Sequence, residues 1–240
     1  MIIRQHDQEA HHSQERFSQR DREAIYDVIR ARRDIRHFTS QPIPPAVLER
    51  ILEAAHHAPS VGFMQPWNFI LITSEIIRQR VRESFDKTNA QELAKLTQDE
   101  RQTLYRTLKL EGILEAPLNI AITCDRRRDR PFVLGRAPMP ETDLFSTCLA
   151  IENLWLAARA EGVGVGWVSI LEATTVEQLL HLPAGVRLVA YLCMGYPVDF
   201  PPRPLLEDIG WKSRLPLASL VYENGWGQSC TRFRVATPPR

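Results

Sequence analysis

Cysteine is scarce and scattered: Cys124, Cys148, Cys193 and Cys230 include no Cys-x-x-Cys pair. That argues against both a disulfide framework and a zinc ribbon, and a reducing, cytoplasmic setting fits best. Long apolar runs are missing, so no membrane span is expected. The opening residues, MIIRQHDQEAHHSQERFSQRDRE, lack the apolar core and cleavage site of an export signal. Excess charge of one sign is missing too. Thirty Lys and Arg against 29 Asp and Glu leave a net charge of +1, which removes the general case for a nucleic-acid or acidic-membrane partner. His6, His11 and His12 lie close together, but no carboxylate or cysteine spacing completes a site. They read as part of a polar tail, and no metal is expected.

Two phosphate or nucleophile motifs are also absent. Gly162-Val163-Gly164-Val165-Gly166 follows a helical stretch and precedes the strand-like run Trp167 to Leu171, the reverse of the order that a dinucleotide fingerprint needs. No Gly-x-Ser-x-Gly elbow makes Ser169 a hydrolase nucleophile. No internal repeat is evident.

What is present suits one domain of about residues 21–228, with a flexible tail over 1–20 and another over 229–240. Ala24, Ile25, Val28 and Ile29 recur at helical spacing and predict a first core helix from Asp21 to about Arg33. Pro44-Pro45 opens a second helix running to about Ala58. Trp67 to Thr73 and Leu118 to Thr123 are rich in aromatic and β-branched residues and predict buried strands. Between them the chain is strongly charged, with few large apolar anchors after Phe85. That stretch predicts a helical excursion over the surface, either a lid over about 86–115 or a solvated hairpin with no gating role.

Asp143 to about Glu161 is apolar all round and predicts a central buried helix. A short helix over Thr175 to Leu182 and a strand over Arg187 to Met194 follow. Beyond Asp199 the chain is proline-rich, with Trp211, Leu215, Leu217, Leu220, Val221, Tyr222 and Trp226 as apolar residues that it is too extended to bury alone. An arm of this kind, about 200–228, is expected to embrace the partner in a homodimer.

The candidate chemistry clusters in three places. Arg32, Arg33 and Arg36 bracket Asp34 at a helix end, and guanidiniums so close repel unless an anion such as phosphate sits among them. A solvated basic helix terminus explains them equally well. Lys212 and Arg214 form a second basic pair. Asp34, ionised readily beside so much positive charge, is either a proton acceptor or a structural ion-pair partner. In Ala58 to Trp67, Gly62 would let backbone approach a planar ring, and Gln65 and Asn68 could hydrogen-bond a heterocycle edge. The bland alternative is a loop folded under the core. Ser169, the only hydroxyl in an apolar strand, faces either a pocket or a backbone partner.

Arg32-Arg33-Asp34-Ile35-Arg36, APSVGFMQPWNF from Ala58, LKLEG from Leu108, NLWLAARAEGVGVGWVSI from Asn153 and GWKSRLPL from Gly210 together resemble the nitroreductase superfamily, and within it the 5,6-dimethylbenzimidazole synthases. The resemblance runs from about Arg22 to Trp226. It implies an α+β fold with a central mixed sheet flanked by helices. It implies that reduced flavin mononucleotide is both cofactor and substrate. Molecular oxygen fragments it to dimethylbenzimidazole, the lower ligand of vitamin B12, and erythrose 4-phosphate, with no metal and with a separate flavin reductase as supplier. Carried over by motif, Arg32, Arg33 and Arg36 hold the phosphate and ribityl chain, helped by Arg214 and Lys212. Asp34 is the acid-base residue, Ser169 hydrogen-bonds the flavin near N5, Leu110 covers the site, and Ile35, Ser60, Gly62, Gln65 and Val168 border the ring. A conventional NAD(P)H-dependent flavin oxidoreductase is the alternative, and a non-catalytic flavin-binding protein is a third.

Overall fold

The computed structural model describes residues 16–129 and 131–230, so His6, His11 and His12 lie outside the described residues. The chain divides into two compact units, residues 1–200 and 201–240.

In the first unit the elements run α1 (Gln19–Ala31), α2 (Pro45–His56), β1 (Trp67–Ile72), α3 (Glu75–Lys95), α4 (Asp99–Thr107), β2 (Leu118–Asp125), α5 (Thr142–Ala160), β3 (Gly164–Trp167), α6 (Ala173–Leu179) and β4 (Val186–Gly195). The strands form one sheet in the order β1-β2-β4-β3. All three pairings are antiparallel. The expected mixed sheet is therefore corrected: the parallel component is confined to a single bridge from Asp34, which is in no strand, to Val165 of β3.

Strand periodicity divides the core. Leu118, Ile120 and Ile122 of β2 and Ala190, Leu192 and Met194 of β4 face α2 and α5, with Ile51, Ile151 and Leu154. The alternate residues Ala121, Tyr191 and Cys193 face the other way, toward Val81 and Phe85 of α3 and Val176 of α6. Because helices cover both faces, β2 is buried without a break from Leu118 through Cys124, Asn119 and Thr123 included, rather than on alternate residues. Each fully buried Ile or Leu here contributes roughly 1.5–3 kcal/mol relative to exposure.

Three expectations change. The first helix is not a core helix: none of its residues is buried, and Ile25, Tyr26 and Ile29 are exposed. The apolar α5 is central but not buried all round. It buries Ala150, Ile151, Leu154 and Ala158 and leaves Phe145, Cys148 and Leu149 exposed on one stripe. The run Trp167 to Leu171 is not a strand. The strand is Gly164–Trp167, and pairing with β4 ends at Trp167–Leu192.

Glycine explains that shift. A Cβ on Gly166 would stand 2.1 Å from the Ile35 carbonyl oxygen, so only glycine lets the Asp34–Arg36 segment lie against this strand. A glycine run that looks like a turn is a strand with another backbone pressed onto it.

In the second unit α7 (Leu205–Asp208) follows Pro204, and no described residue is buried. Tyr222 and Trp226 pack ring to ring at 5.0 Å. Leu215, Leu217 and Leu220 are exposed.

Candidate functional site

The α1 helix stops at Ala31, where Arg32 turns extended. The chain then runs along β3, and the Ile35 N–H donates to the Val165 carbonyl at 2.9 Å. The turn is pinned from α5: Trp155 Nε1 donates to the Arg33 carbonyl and Arg159 Nε to the Ala31 carbonyl, both at 3.2 Å.

This geometry sets the Asp34 carboxylate on β3. Its Oδ1 accepts the Trp167 N–H at 3.0 Å, and its Oδ2 accepts Arg36 Nη2 at 2.8 Å. The same Arg36 nitrogen donates to the Trp167 carbonyl at 2.7 Å. Arg36 is largely buried, whereas 47% of the Asp34 side-chain surface stays open. Dense packing around the carboxyl raises its pKa above the usual carboxylate value, and the Arg36 charge, the Trp167 N–H and the Arg32 charge oppose the rise. Solvent at the open side moderates it. The result is an oriented carboxylate with lone pairs to spare and one face free, the requirement for moving a proton.

The three arginines do not converge on one point. Arg32 lies over the Trp155 ring at 4.9 Å. Arg33 Nη1 folds back on the Arg30 and Arg32 carbonyls at 2.6 and 2.7 Å. Arg36 serves Asp34 and Trp167, while its Nη1 is buried without a hydrogen-bond partner. Ile35 and Val168 are buried in the apolar cluster beside Leu110. Ser169 follows directly, outside the strand and exposed.

Ser60, Gly62 and Gln65 form a second cluster. The Ser60 hydroxyl accepts the Gln65 N–H at 3.0 Å, closing a tight loop. Gly62, Phe63 and Gln65 all take positive φ, of 53, 57 and 47°. A Cβ on Gly62 would stand 2.8 Å from the Leu134 carbonyl oxygen. Such strain persists only where surrounding structure over-determines it, and it concentrates at ligand sites. Here Phe63 is held out into solvent at 81% exposure. A cavity of about 580 Å³ opens beside it, lined by Gln65, Asn68, Trp67, Phe69 and Arg128 among others.

The two clusters sit at opposite ends of α5. The Val61 N–H donates to Ser146 Oγ near the start of that helix, and Trp155 serves the Asp34 turn nine residues later. Nine residues span about 13 Å along a helix axis. Lys212 and Arg214 lie in the second unit, on a cavity of about 510 Å³ with Pro204, Glu207, Leu215 and Leu217.

Residues 29–196 match the family profile described as Nitroreductase. The chain belongs to the nitroreductase family. It is 46% identical over 195 residues to the 5,6-dimethylbenzimidazole synthase of Rhodospirillum rubrum, covering 81% of this chain and 92% of that protein. It is 42% identical over 200 residues to the 5,6-dimethylbenzimidazole synthase of Rhodobacter capsulatus, covering 83% and 96%. Among solved structures, a BluB-like flavoprotein from Clostridium difficile 630 superposes with a TM-score of 0.62 at 19% identity, covering 84% of this chain and 99% of that one. An iodotyrosine deiodinase bound to FMN and 3-iodo-L-tyrosine gives 0.63 at 24% identity, covering 75% and 92%. At those identities the structures establish the nitroreductase fold.

Several supports in this nitroreductase-family chain carry no recognisable motif. Arg128 donates to the Gln65 and Trp67 carbonyls and to Asn68 Oδ1, bracing the strained loop. Ser146 receives Val61, and Val133 and Leu134 floor Gly62. Two signals stood in the sequence: the basic run Arg126-Arg127-Arg128, and Asp143 opening an apolar helix. Burial pushes the Cys193 thiol up to about 12, which makes it a poor nucleophile near neutral pH.

Proposed function

We propose that the chain is a 5,6-dimethylbenzimidazole synthase, which takes reduced flavin mononucleotide and molecular oxygen as substrates and releases dimethylbenzimidazole and erythrose 4-phosphate. The single observation that carries this reading is Asp34: a half-open carboxylate, oriented at both oxygens, on a chain 46% identical to a protein of that name. The residues fit an anionic ligand. Arg32 and Arg33 supply positive charge, and Arg36 keeps a buried terminal nitrogen without a partner. When bound, reduced flavin supplies both the electrons and the ring carbon skeleton of the product.

The chain's own residues divide the work. Arg32, Arg33 and Arg36 neutralise the phosphate and ribityl end. Asp34 accepts and returns protons, and its hydrogen bonds from Trp167 and Arg36 aim it and oppose the rise in pKa that burial causes. Ser169 donates to the flavin edge. Leu110, Ile35 and Val168 exclude water, without which oxygen simply oxidises the flavin. No described helix is long and apolar enough to cross a membrane, which suits a reaction between dissolved substrates.

Mixing the protein with free reduced flavin mononucleotide in air is expected to give dimethylbenzimidazole by mass spectrometry. Oxidised flavin and peroxide alone would defeat the reading. Rapid bleaching of bound flavin by NADPH without oxygen would point instead to a recycling oxidoreductase.

We infer that the active species is a homodimer in which Ser60, Gly62 and Gln65 of a second copy complete the site. The support is the separation of the two clusters along α5 and the exposed apolar stripe of Phe145 and Leu149 on that helix. Asp34→Asn and Gly62→Val are each expected to be inactive alone. Co-expressed, they should recover about a quarter of the wild-type rate, since half of random pairs are mixed and each carries one intact site. No recovery in a soluble mixed dimer would place both clusters in one chain's site.

A further inference from the structure

A buried carboxylate sits where the segment carrying Leu110 turns back into the core. Glu111 is 7% exposed. Its Oε1 accepts Arg82 Nη1 at 2.9 Å, and its Oε2 accepts the Ile113 N–H at 2.7 Å. Arg82 stands on α3, where Asp86 holds its Nε at 2.9 Å. One turn earlier, Arg78 donates Nε and Nη2 to the Ile113 carbonyl at 2.9 and 2.7 Å and Nη2 to the Ala116 carbonyl at 2.5 Å. Positions four apart share one helix face, so both guanidiniums grip the same short stretch.

The other side of that stretch meets the candidate site. A Cβ on Gly112 would stand 3.1 Å from the Arg36 carbonyl oxygen, and Leu110 packs against the cluster containing Ile35 and Val168. Glu111 thus lies between the residue that covers the site and the residue that touches the Arg36 backbone. A buried ion pair is weak as a source of stability, since apolar side chains of equal volume often serve as well. What it supplies is one fixed arrangement of the groups that it joins.

We propose that Glu111 and Arg82 are positioning residues that hold Leu110 over the Asp34–Arg36 site and thereby set how much reduced flavin is fragmented rather than merely oxidised. This rests on the function proposed above. In the competing outcome, oxygen takes two electrons and two protons from the reduced flavin and leaves as hydrogen peroxide, with oxidised flavin as the other product. Holding the cover in place keeps out the water that favours this route.

The test uses the full chain as Glu111→Gln, Arg82→Met and Arg82→Lys. Reduced flavin mononucleotide in air is assayed for dimethylbenzimidazole and peroxide, and amide hydrogen exchange over residues 108–113 is followed with oxidised flavin mononucleotide bound. For Glu111→Gln and Arg82→Met, peroxide per dimethylbenzimidazole and the exchange rate should each rise about tenfold, the order set by losing one charge-assisted hydrogen bond. Flavin affinity should stay within about threefold, because neither residue is assigned a flavin contact. Arg82→Lys should restore most of both. If Glu111→Gln fails to fold, Arg82→Met decides, since it leaves the Glu111 bond to Ile113 in place. An unchanged peroxide ratio in a folded variant overturns the proposal, whatever the exchange does. If the wild type makes no dimethylbenzimidazole, the function reading fails separately. The exchange arm then still decides positioning: acceleration supports it and an unchanged rate overturns it.

Discussion

Asp34→Asn is expected to cut dimethylbenzimidazole formation by about 10²–10⁴-fold, the range usual for losing a positioned general acid-base group, while reduced flavin stays bound. The amide keeps an oxygen for the Trp167 N–H or for Arg36, so the turn at β3 should hold. What disappears is the ability to accept a proton. Flavin affinity measured alongside the rate separates the possibilities: loss of binding in proportion to activity would make Asp34 a structural partner only. The pH dependence follows with a definite sign. The working form is the carboxylate, so activity falls as pH drops through the Asp34 pKa, which dense packing raises above 3.8 and Arg36 pulls back down. Removing that charge with Arg36→Gln should shift the acid limb to higher pH. A limb that stays put would mean that another group titrates.

Much of this site was legible before any coordinates. Residue type and clustering singled out Arg32 to Arg36, and the structure does place Asp34 and Arg36 in contact. The loop from Ala58 to Trp67 stands out because turn formers there alternate with bulky apolar groups, and the structure gives three of its residues positive φ. The misreadings share one cause. Sequence periodicity reports what a side chain packs against only when its own element decides the packing. The apolar run places the strand from Trp167, after the glycines, because nothing nearby in sequence shows that Ile35 presses on Gly166. The apolar stripe of the first helix is real and predicts core, yet Ile25, Tyr26 and Ile29 are exposed. The sequence predicts a strand through Ser169 because the apolar run outlasts the pairing, which ends at Trp167. The bracing of Gly62 from Val133, Leu134 and Ser146 spans more than seventy residues, beyond any local pattern.

That bracing has its own keystone, and removing it should produce the largest loss of stability in the chain. Asp143 is fully buried at the start of α5, yet it is a charge. Its Oδ2 accepts Arg126 Nε at 3.0 Å and Arg136 Nε and Nη2 at 2.9 and 2.6 Å, and its Oδ1 accepts the Leu144 N–H at 2.7 Å. Two guanidiniums and a backbone amide therefore offset the desolvation of one carboxylate. Asp143→Ala removes the buried carboxylate that both arginines, 25% and 18% exposed, share. Breaking a buried pair in this way costs about 3–5 kcal/mol, much of a typical domain's stability. The measurement is urea unfolding, where the midpoint should fall with little change in slope. The loss should also reach the site. Arg136 closes the turn whose Val133 and Leu134 floor Gly62, through its N–H to the Val133 carbonyl at 3.2 Å. When that floor loosens, the strained loop has less to hold its positive φ values, and Phe63 should lose its fixed outward pose. Asp143→Asn keeps an acceptor for one arginine and should fall between the two. If Asp143→Ala unfolds within about 1 kcal/mol of wild type, the arginines have reached solvent on their own and the buried charge is not what anchors this end of α5.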